Sequence, residues 1–424
     1  MNENDKILLE ELENSGVSFL SSPRIIYVAK KTLAKVEKHI PDSDLKKVAI
    51  IRQNAIDKCM LFISHLTSTF YHEEGNGWKH MCGAILQRNM GKNYPRIREV
   101  LEKHGIIECN DAYDSLSDFK FSKSYRLTER YYKGGTLGVV PYEVTSELVL
   151  KSMARAHDTR FKDALSNPIS RNLLKAYANV TLPTREELME SGMKLVGTMK
   201  GRKTYQTLTE TARVEGKEAK KVRFIEDDID IFERLTKNGF LVPIITGKKA
   251  GGRVVDSFNL MPSWIRKHVK FGEQETAEAD YSCLHPNIVS KVYGGSEKFI
   301  THDKVAEDLG VSREEVKIEH LSFFNKEYHS MKQSPLWNYY SKKDPDMLGR
   351  VVGEKAEEGY RMTSQRLFKE ETKLMSEAIK ILNGRGIYVL YIFDAIVCRK
   401  RHREEVADVM NYVAERNGVY TTVN

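Results

Sequence analysis

The 424-residue sequence has only five cysteines, Cys59, Cys82, Cys109, Cys283 and Cys398. None stands in a CxxC pair and no histidine cluster lies beside them. A disulfide framework and a structural zinc site are not expected, and a reducing compartment is. No apolar run reaches the roughly 18–20 residues that a membrane span needs. The opening residues, MNENDKILLEELENSG, are acidic and amphipathic, unlike a secretory signal. Cytoplasmic placement without a membrane partner is expected. No internal repeat or low-complexity tract stands out.

What is present is a chain 41% hydrophobic and 30% charged, long enough for two to four buried domains. Its net charge of +8 favours a polyanionic partner, nucleic acid before a membrane surface.

Residues 1–20 read as a short helix or arm, and 43–70 carry helical periodicity with Ser43 or Asp44 as cap. The stretch 79–108 reads as a helix, a turn around Gly91–Asn93, and a second helix from Pro95 to about His104, stopped by Gly105. Strands are expected over 106–114 and 123–132. A helix–turn–helix followed by a two-stranded wing resembles a winged helix. Arg88, Lys92, Arg96 and Arg98 would lie on or near its second helix, and Lys123 and Arg126 on the wing, facing DNA. Residues 140–225 look mostly helical and end in a basic run, 200–224, suited to phosphate contacts.

Beyond 226 come a helix ending at Gly239, a strand, a Gly-rich loop (247–258) and a short basic helix (261–272). A strand then ends at Asp280, and a helix follows it. Two helices cover 302–310 and 311–331, the second capped by Ser312 with Glu315 three residues on. One long helix is expected over 354–383, then a strand–Asp394–strand hairpin, then a last helix over 402–418.

Two Asp residues at strand ends, bracketing a basic helix, suit two-metal phosphoryl transfer. Magnesium accepts hard oxygen ligands and needs only one or two carboxylates, so Asp280 and Asp394 suffice if their strands are neighbours. Arg313 and Lys317, four apart on a helix, share a face that can grip a triphosphate.

The order of these parts resembles the family A DNA polymerases and the related single-subunit, phage-type RNA polymerases, over roughly 245–415. ADYSCLHPNI resembles their motif A, SREEVKIEHLSFFNKEY their motif B, and YIFDAIVCRKRHREEVADVM their motif C. GGRVVDSFNLMPSWIRKHVKF and RMTSQRLFKEETKLMSEAIKIL resemble segments that touch primer and template. The resemblance implies an α+β fold: a right-hand polymerase with a small antiparallel palm sheet and helical fingers and thumb. A winged-helix-like domain (1–140) and a basic thumb-like region (141–235) would precede the palm and fingers (236–424). It implies that Asp280 and Asp394 bind two Mg2+ ions, with the Tyr281 carbonyl as a further ligand. Arg313 and Lys317 would bind the nucleoside triphosphate, and Arg253, Arg266 and Gln365 the nucleic acid. A compact phage or mobile-element enzyme, in the cytoplasm of a bacterial host, is the implied setting.

This sequence departs from the pattern in three places. Phe393 stands where a His commonly precedes the Asp. Asn325 stands where motif B usually has Tyr. His285, five beyond Asp280, stands where DNA polymerases usually have Glu and RNA polymerases Gly. His285 has the bulk of a sugar gate and also an edge that can hydrogen-bond a 2′ hydroxyl, with Asn325 as a possible helper. Sugar choice stays open. A DNA-dependent RNA polymerase or primer-making enzyme is the leading reading. A DNA polymerase without proofreading and a non-catalytic DNA-binding replication protein are the alternatives. A second subunit or template-loading protein is a plausible partner.

Overall fold

Two stretches of chain bury their apolar side chains in two clusters, and one helix belongs to both. The computed structural model describes Ile7, Leu8, Glu10 and residues 24–67, 78–112, 122–131, 139–200, 203–208, 222–236, 242–247 and 250–424. It is a mixed α+β chain, mainly helical, with small sheets of two or three strands. No described helix is long and apolar enough to cross a membrane.

The first cluster forms around helix α1 (Arg52–Thr67), which buries Ile56, Cys59, Phe62, Ile63 and Leu66. An α1 so apolar on several faces must be enclosed, and β1 (Ile25–Ala29), paired antiparallel with a later strand, packs against it. Next come β2 (Lys79–His80), α2 (Gly83–Met90) and α3 (Tyr94–Lys103), the last with Pro95 in its first turn. Gly105, at φ +59, ends α3 in the left-handed conformation that glycine tolerates. β3 (Ile107–Asn110) pairs antiparallel with β4 (Ser124–Leu127), and β2 joins the outer edge of β4. The expected helix, turn, helix and two strands are thus present, with β2 as an unexpected third strand. The second expected strand is shorter than 123–132, because the chain turns into a 3-10 helix at Glu129–Tyr131.

β5 (Val139–Glu143) is the partner of β1. Helix α4 (Glu147–Ser166) follows, capped by Ser146, whose side chain accepts from the amide of Val149. Val149 belongs to the first cluster, while Phe161, Ala164 and Leu165 belong to the second. The first core therefore runs past residue 140. The basic end of the next region is not helical where it is described. β6 (Met199–Lys200), β7 (Lys203–Gln206) and β8 (Val222–Phe224) form a three-stranded sheet. Residues 209–221 of the basic run lie outside the described residues, as do Gly239 and most of residues 1–20.

The second cluster holds the sheet of β9 (Thr276–Asp280), β10 (Leu390–Ile392) and β11 (Ala395–Arg399), in the order β9–β11–β10 and antiparallel throughout. Around it lie α5 (Leu284–Tyr293), α6 (His302–Leu309), α7 (Arg313–Phe323), α8 (Pro345–Glu358), α9 (Met362–Gly384) and α10 (Arg403–Arg416). The single helix expected over 354–383 is two. Gly359, at φ +93, closes α8, and α9 restarts three residues later. Buried Asn172 braces the hairpin: its side-chain amide donates to the Val389 carbonyl at 2.7 Å, and its oxygen accepts from the Val389 amide at 3.1 Å.

Candidate active site

The register of β9 and β11 decides which side chains meet. Asp280 is opposite Ala395, and Ile392 is opposite the same alanine from the other side. Phe393 and Asp394 are therefore the two-residue link of the β10–β11 hairpin, beside the end of β9. The Tyr281 amide donates to the Asp394 carbonyl at 3.4 Å, tying the two Asp-bearing corners together. On the open edge of β9, Asp280 exchanges backbone hydrogen bonds with Asn424, at 3.3 and 2.9 Å.

Both corners hold strained backbone. Cys283 (φ 53) and Phe393 (φ 52) are the non-glycine residues with positive φ among those described. Such conformations cost about 1–2 kcal/mol each and persist where surrounding structure imposes them. Here one lies just past Asp280 and the other just before Asp394.

The carboxylates repel each other. Desolvation, then Asp394, then Glu278 push the Asp280 pKa up to about 7, although its side chain reaches solvent; Lys317 opposes them. The pKa of half-buried Asp394 is also raised, by burial first and then by Glu371. A cation beside two such hard-oxygen acids would relieve their mutual repulsion. Among the described residues no three His, Cys, Asp or Glu side chains gather as a metal cage. The donor set thus fits magnesium, which takes one or two carboxylates and keeps other oxygens, and does not fit zinc held by protein alone.

Beneath the pair lies a residue the sequence did not flag. Glu371, on α9, has a side chain with 0% exposure, and Arg253 and His285 both bond it. Arg253 Nε donates at 2.7 Å, and His285 Nε2 lies 2.8 Å from Oε2. Burial opposes ionisation of Glu371, but the bonds from His285 and Arg253 outweigh it and lower its pKa. The Arg253 guanidinium stacks 3.6 Å from the Phe368 ring centroid and 4.9 Å from that of Phe393. In sequence, Glu371 sits in KEETK and reads as an exposed helical charge. The signal was instead Gly251, at φ +69: a Cβ there would meet the Phe368 and Lys369 backbone at 2.5 and 2.7 Å. Only glycine lets the 250–253 loop reach α9.

The other expected site residues are placed as follows. Arg253 is held in this ion pair, with its side chain 19% exposed. Arg266 donates to the carbonyls of Asn259 and Met261, at 3.3 and 3.0 Å, and is half-buried. Asn325 lies past the end of α7, not on it, and donates to the Leu321 carbonyl while accepting from Ser364. His285 is paired with Glu371. The Tyr281 ring is buried, its hydroxyl donating to the Met410 carbonyl at 2.7 Å.

Lys317 is exposed and faces Asp280 closely enough to oppose its rise in pKa. Arg313 opens α7 and pairs with Asp303 at 3.2 Å on the surface. The Ser312–Glu315 capping box fixes that end of the helix. Gln365 is half-exposed on α9. Arg88, Lys92 and Arg96 are exposed, Arg96 pairing with Glu99 at 2.7 Å. The other basic residues are more engaged: Arg98 pairs with Glu102 and Asp111, Lys123 with Asp111, and Arg126 with Glu108.

No family model matches the chain, and no curated protein does. Among solved structures, it is similar to the POL domain of Pol1 from M. smegmatis in complex with DNA primer-template and dNTP. That match has 12% identity and a TM-score of 0.42, and covers 65% of this chain and 73% of that one. A likeness so slight carries no argument about fold or chemistry.

Proposed function

We propose that this chain is a template-directed nucleotidyltransferase of right-hand architecture, with β9, β11 and β10 as the palm sheet and α6–α8 as fingers. The observation that carries the reading is the pairing of Asp280 and Asp394 at adjacent strand corners, with Lys317 facing them. In this reading Asp280 and Asp394 hold two Mg2+ ions. Magnesium held there would lower the pKa of the attacking 3′ hydroxyl and neutralise the triphosphate. The 3′ hydroxyl gives its proton to water, its oxygen bonds to the α-phosphorus, the bond from that phosphorus to the bridging oxygen breaks, and pyrophosphate leaves with that bond's electron pair. Lys317 supplies a point charge to the phosphates. Arg313 exchanges its exposed Asp303 pair, worth little in water, for phosphate oxygens.

The preferred product is RNA, made on a DNA template. His285 supports this. With Nε2 donating to ionised Glu371, its Nδ1 is left as an acceptor for a ribose 2′ hydroxyl. Glu371 and Arg253 act as positioning residues that fix the imidazole. The exposed Arg88, Lys92 and Arg96 serve as DNA contacts of a winged-helix unit, and Gln365 as a template contact.

Purified protein given primed and unprimed DNA, Mg2+, and either rNTPs or dNTPs tests the reading. Incorporation from rNTPs is expected. Incorporation from dNTPs alone would replace RNA synthesis by DNA synthesis. Asp394→Ala should lose at least a hundredfold in rate, as expected for removing a metal ligand or its orienting partner, while retaining DNA affinity. Undiminished incorporation by that variant would sink the site assignment.

A further inference from the structure

Away from the reaction site, the junction of the two cores gathers cations. Helix α2 docks on α4 through Ser152, whose hydroxyl donates to the Asn89 carbonyl at 2.6 Å. Arg88 stands beside that contact on the last turn of α2. Arg160 lies two turns further along α4, between the residues that α4 gives to the first core and those it gives to the second.

Arg160 is half-buried, yet no carboxylate among the described residues pairs with it or with Arg88. Burial first, and then Arg88, lower its pKa. The same positive field reaches His65, whose pKa falls to about 3 through burial, Lys79 and Arg160. A half-buried cation without an anion is costly, and proteins normally pair or neutralise it. An arginine without a carboxylate partner among the described residues has a ligand anion as its natural partner.

We infer that Arg160 and Arg88 form a phosphodiester clamp, at the joint between the two cores, for the backbone of duplex nucleic acid. The identity of the ligand rests on the nucleic-acid reading above. Three observations point to a duplex backbone. Arg88, exposed Lys92 and Arg96 run on from the clamp along the α2–α3 turn, a track of charges and not one pocket. Exposed Arg155 adds to it from α4. The only aromatic on the α2–α3 turn, Tyr94, is half-buried, and single-strand binding uses several aromatic stacking platforms. A duplex held there would touch both cores through one helix, fixing the angle at which it enters the rest of the molecule.

The test is duplex DNA binding by fluorescence anisotropy over a salt series, without nucleotides or Mg2+. Arg160→Gln and Arg88→Gln should each weaken duplex binding and reduce the slope of log affinity against log salt by about 1. Arg160→Lys should keep the slope, separating lost charge from lost packing. Free Arg160→Gln should melt no lower than the native chain, because it removes an unpaired cation, while duplex should raise its melting temperature less. An Arg160→Gln variant that melts lower but binds duplex with unchanged slope would make Arg160 a packing residue and overturn the inference. So would a native chain that prefers single strands of equal length. Because no nucleotide is present, failure of the nucleotidyl-transfer reading leaves this result standing, and the converse also holds.

Discussion

At the scale of single residues, the site is defined by carboxylates in unequal surroundings. Asp280 is the more exposed and Asp394 the more enclosed, while Glu371 is fully buried but bonded by Arg253 and His285. Asp280 gives a direct test. Its pKa is raised to about 7, so between about pH 4 and pH 7 the folded chain binds more protons there than the unfolded chain. Stability must therefore fall as pH rises through that window and level off above it. Asp280→Asn should remove this slope and raise stability at pH 8 by about 1 kcal/mol after solvent screening of an exposed group, seen as a higher melting temperature. Millimolar Mg2+ should stabilise the native chain at pH 8 and not the variant. A variant that melts lower than the native chain at pH 8 would show that the repulsion is not there. Asp280 and Asp394 were legible in sequence because each interrupts an apolar strand. Glu371 was not, because its burial depends on a glycine loop more than a hundred residues away approaching α9.

At the scale of elements, local signals held where local chemistry decides. The α7 cap follows from Ser312 and Glu315, and the β10–β11 hairpin from two apolar runs on either side of Asp394. The break between α8 and α9 did not show, because a single glycine inside a helical stretch is tolerated and Gly359 alone marks it. Buried Lys355 explains how the break is tolerated. Its ammonium donates to the carbonyls of Phe324, Lys326 and Tyr360, at 2.8, 3.0 and 2.8 Å. One side chain thus satisfies the end of α7 and the α8–α9 link together, and it keeps the helix bearing Lys317 in register with α9. Lys355→Met preserves bulk but strands these acceptors, at a cost of about 2 kcal/mol. Urea unfolding would read this as a lower midpoint with unchanged slope. An unchanged midpoint would mean that water replaces the ammonium.

At the scale of the whole molecule, the sequence suggested a boundary at residue 140, where turn-forming residues and strand signals change. The cores divide later. β5 completes the first core by pairing with β1, and α4 then passes from one cluster into the other without a linker. Two cores on one continuous helix should unfold separately but not independently. Phe62 is buried at the centre of the first core, its ring edge-on to Tyr125 with centroids 5.5 Å apart. Phe62→Ala leaves a cavity there and should cost about 3–5 kcal/mol, confined to that core. Urea unfolding followed by far-UV circular dichroism should then split into two transitions, the earlier one involving roughly the residues before α4. Duplex DNA bound across α4 should draw the two transitions together, because it stabilises only the state in which both cores present their charges. A single transition that shifts as a whole in Phe62→Ala would instead mean that α4 couples the cores completely, and that the molecule folds as one cooperative unit.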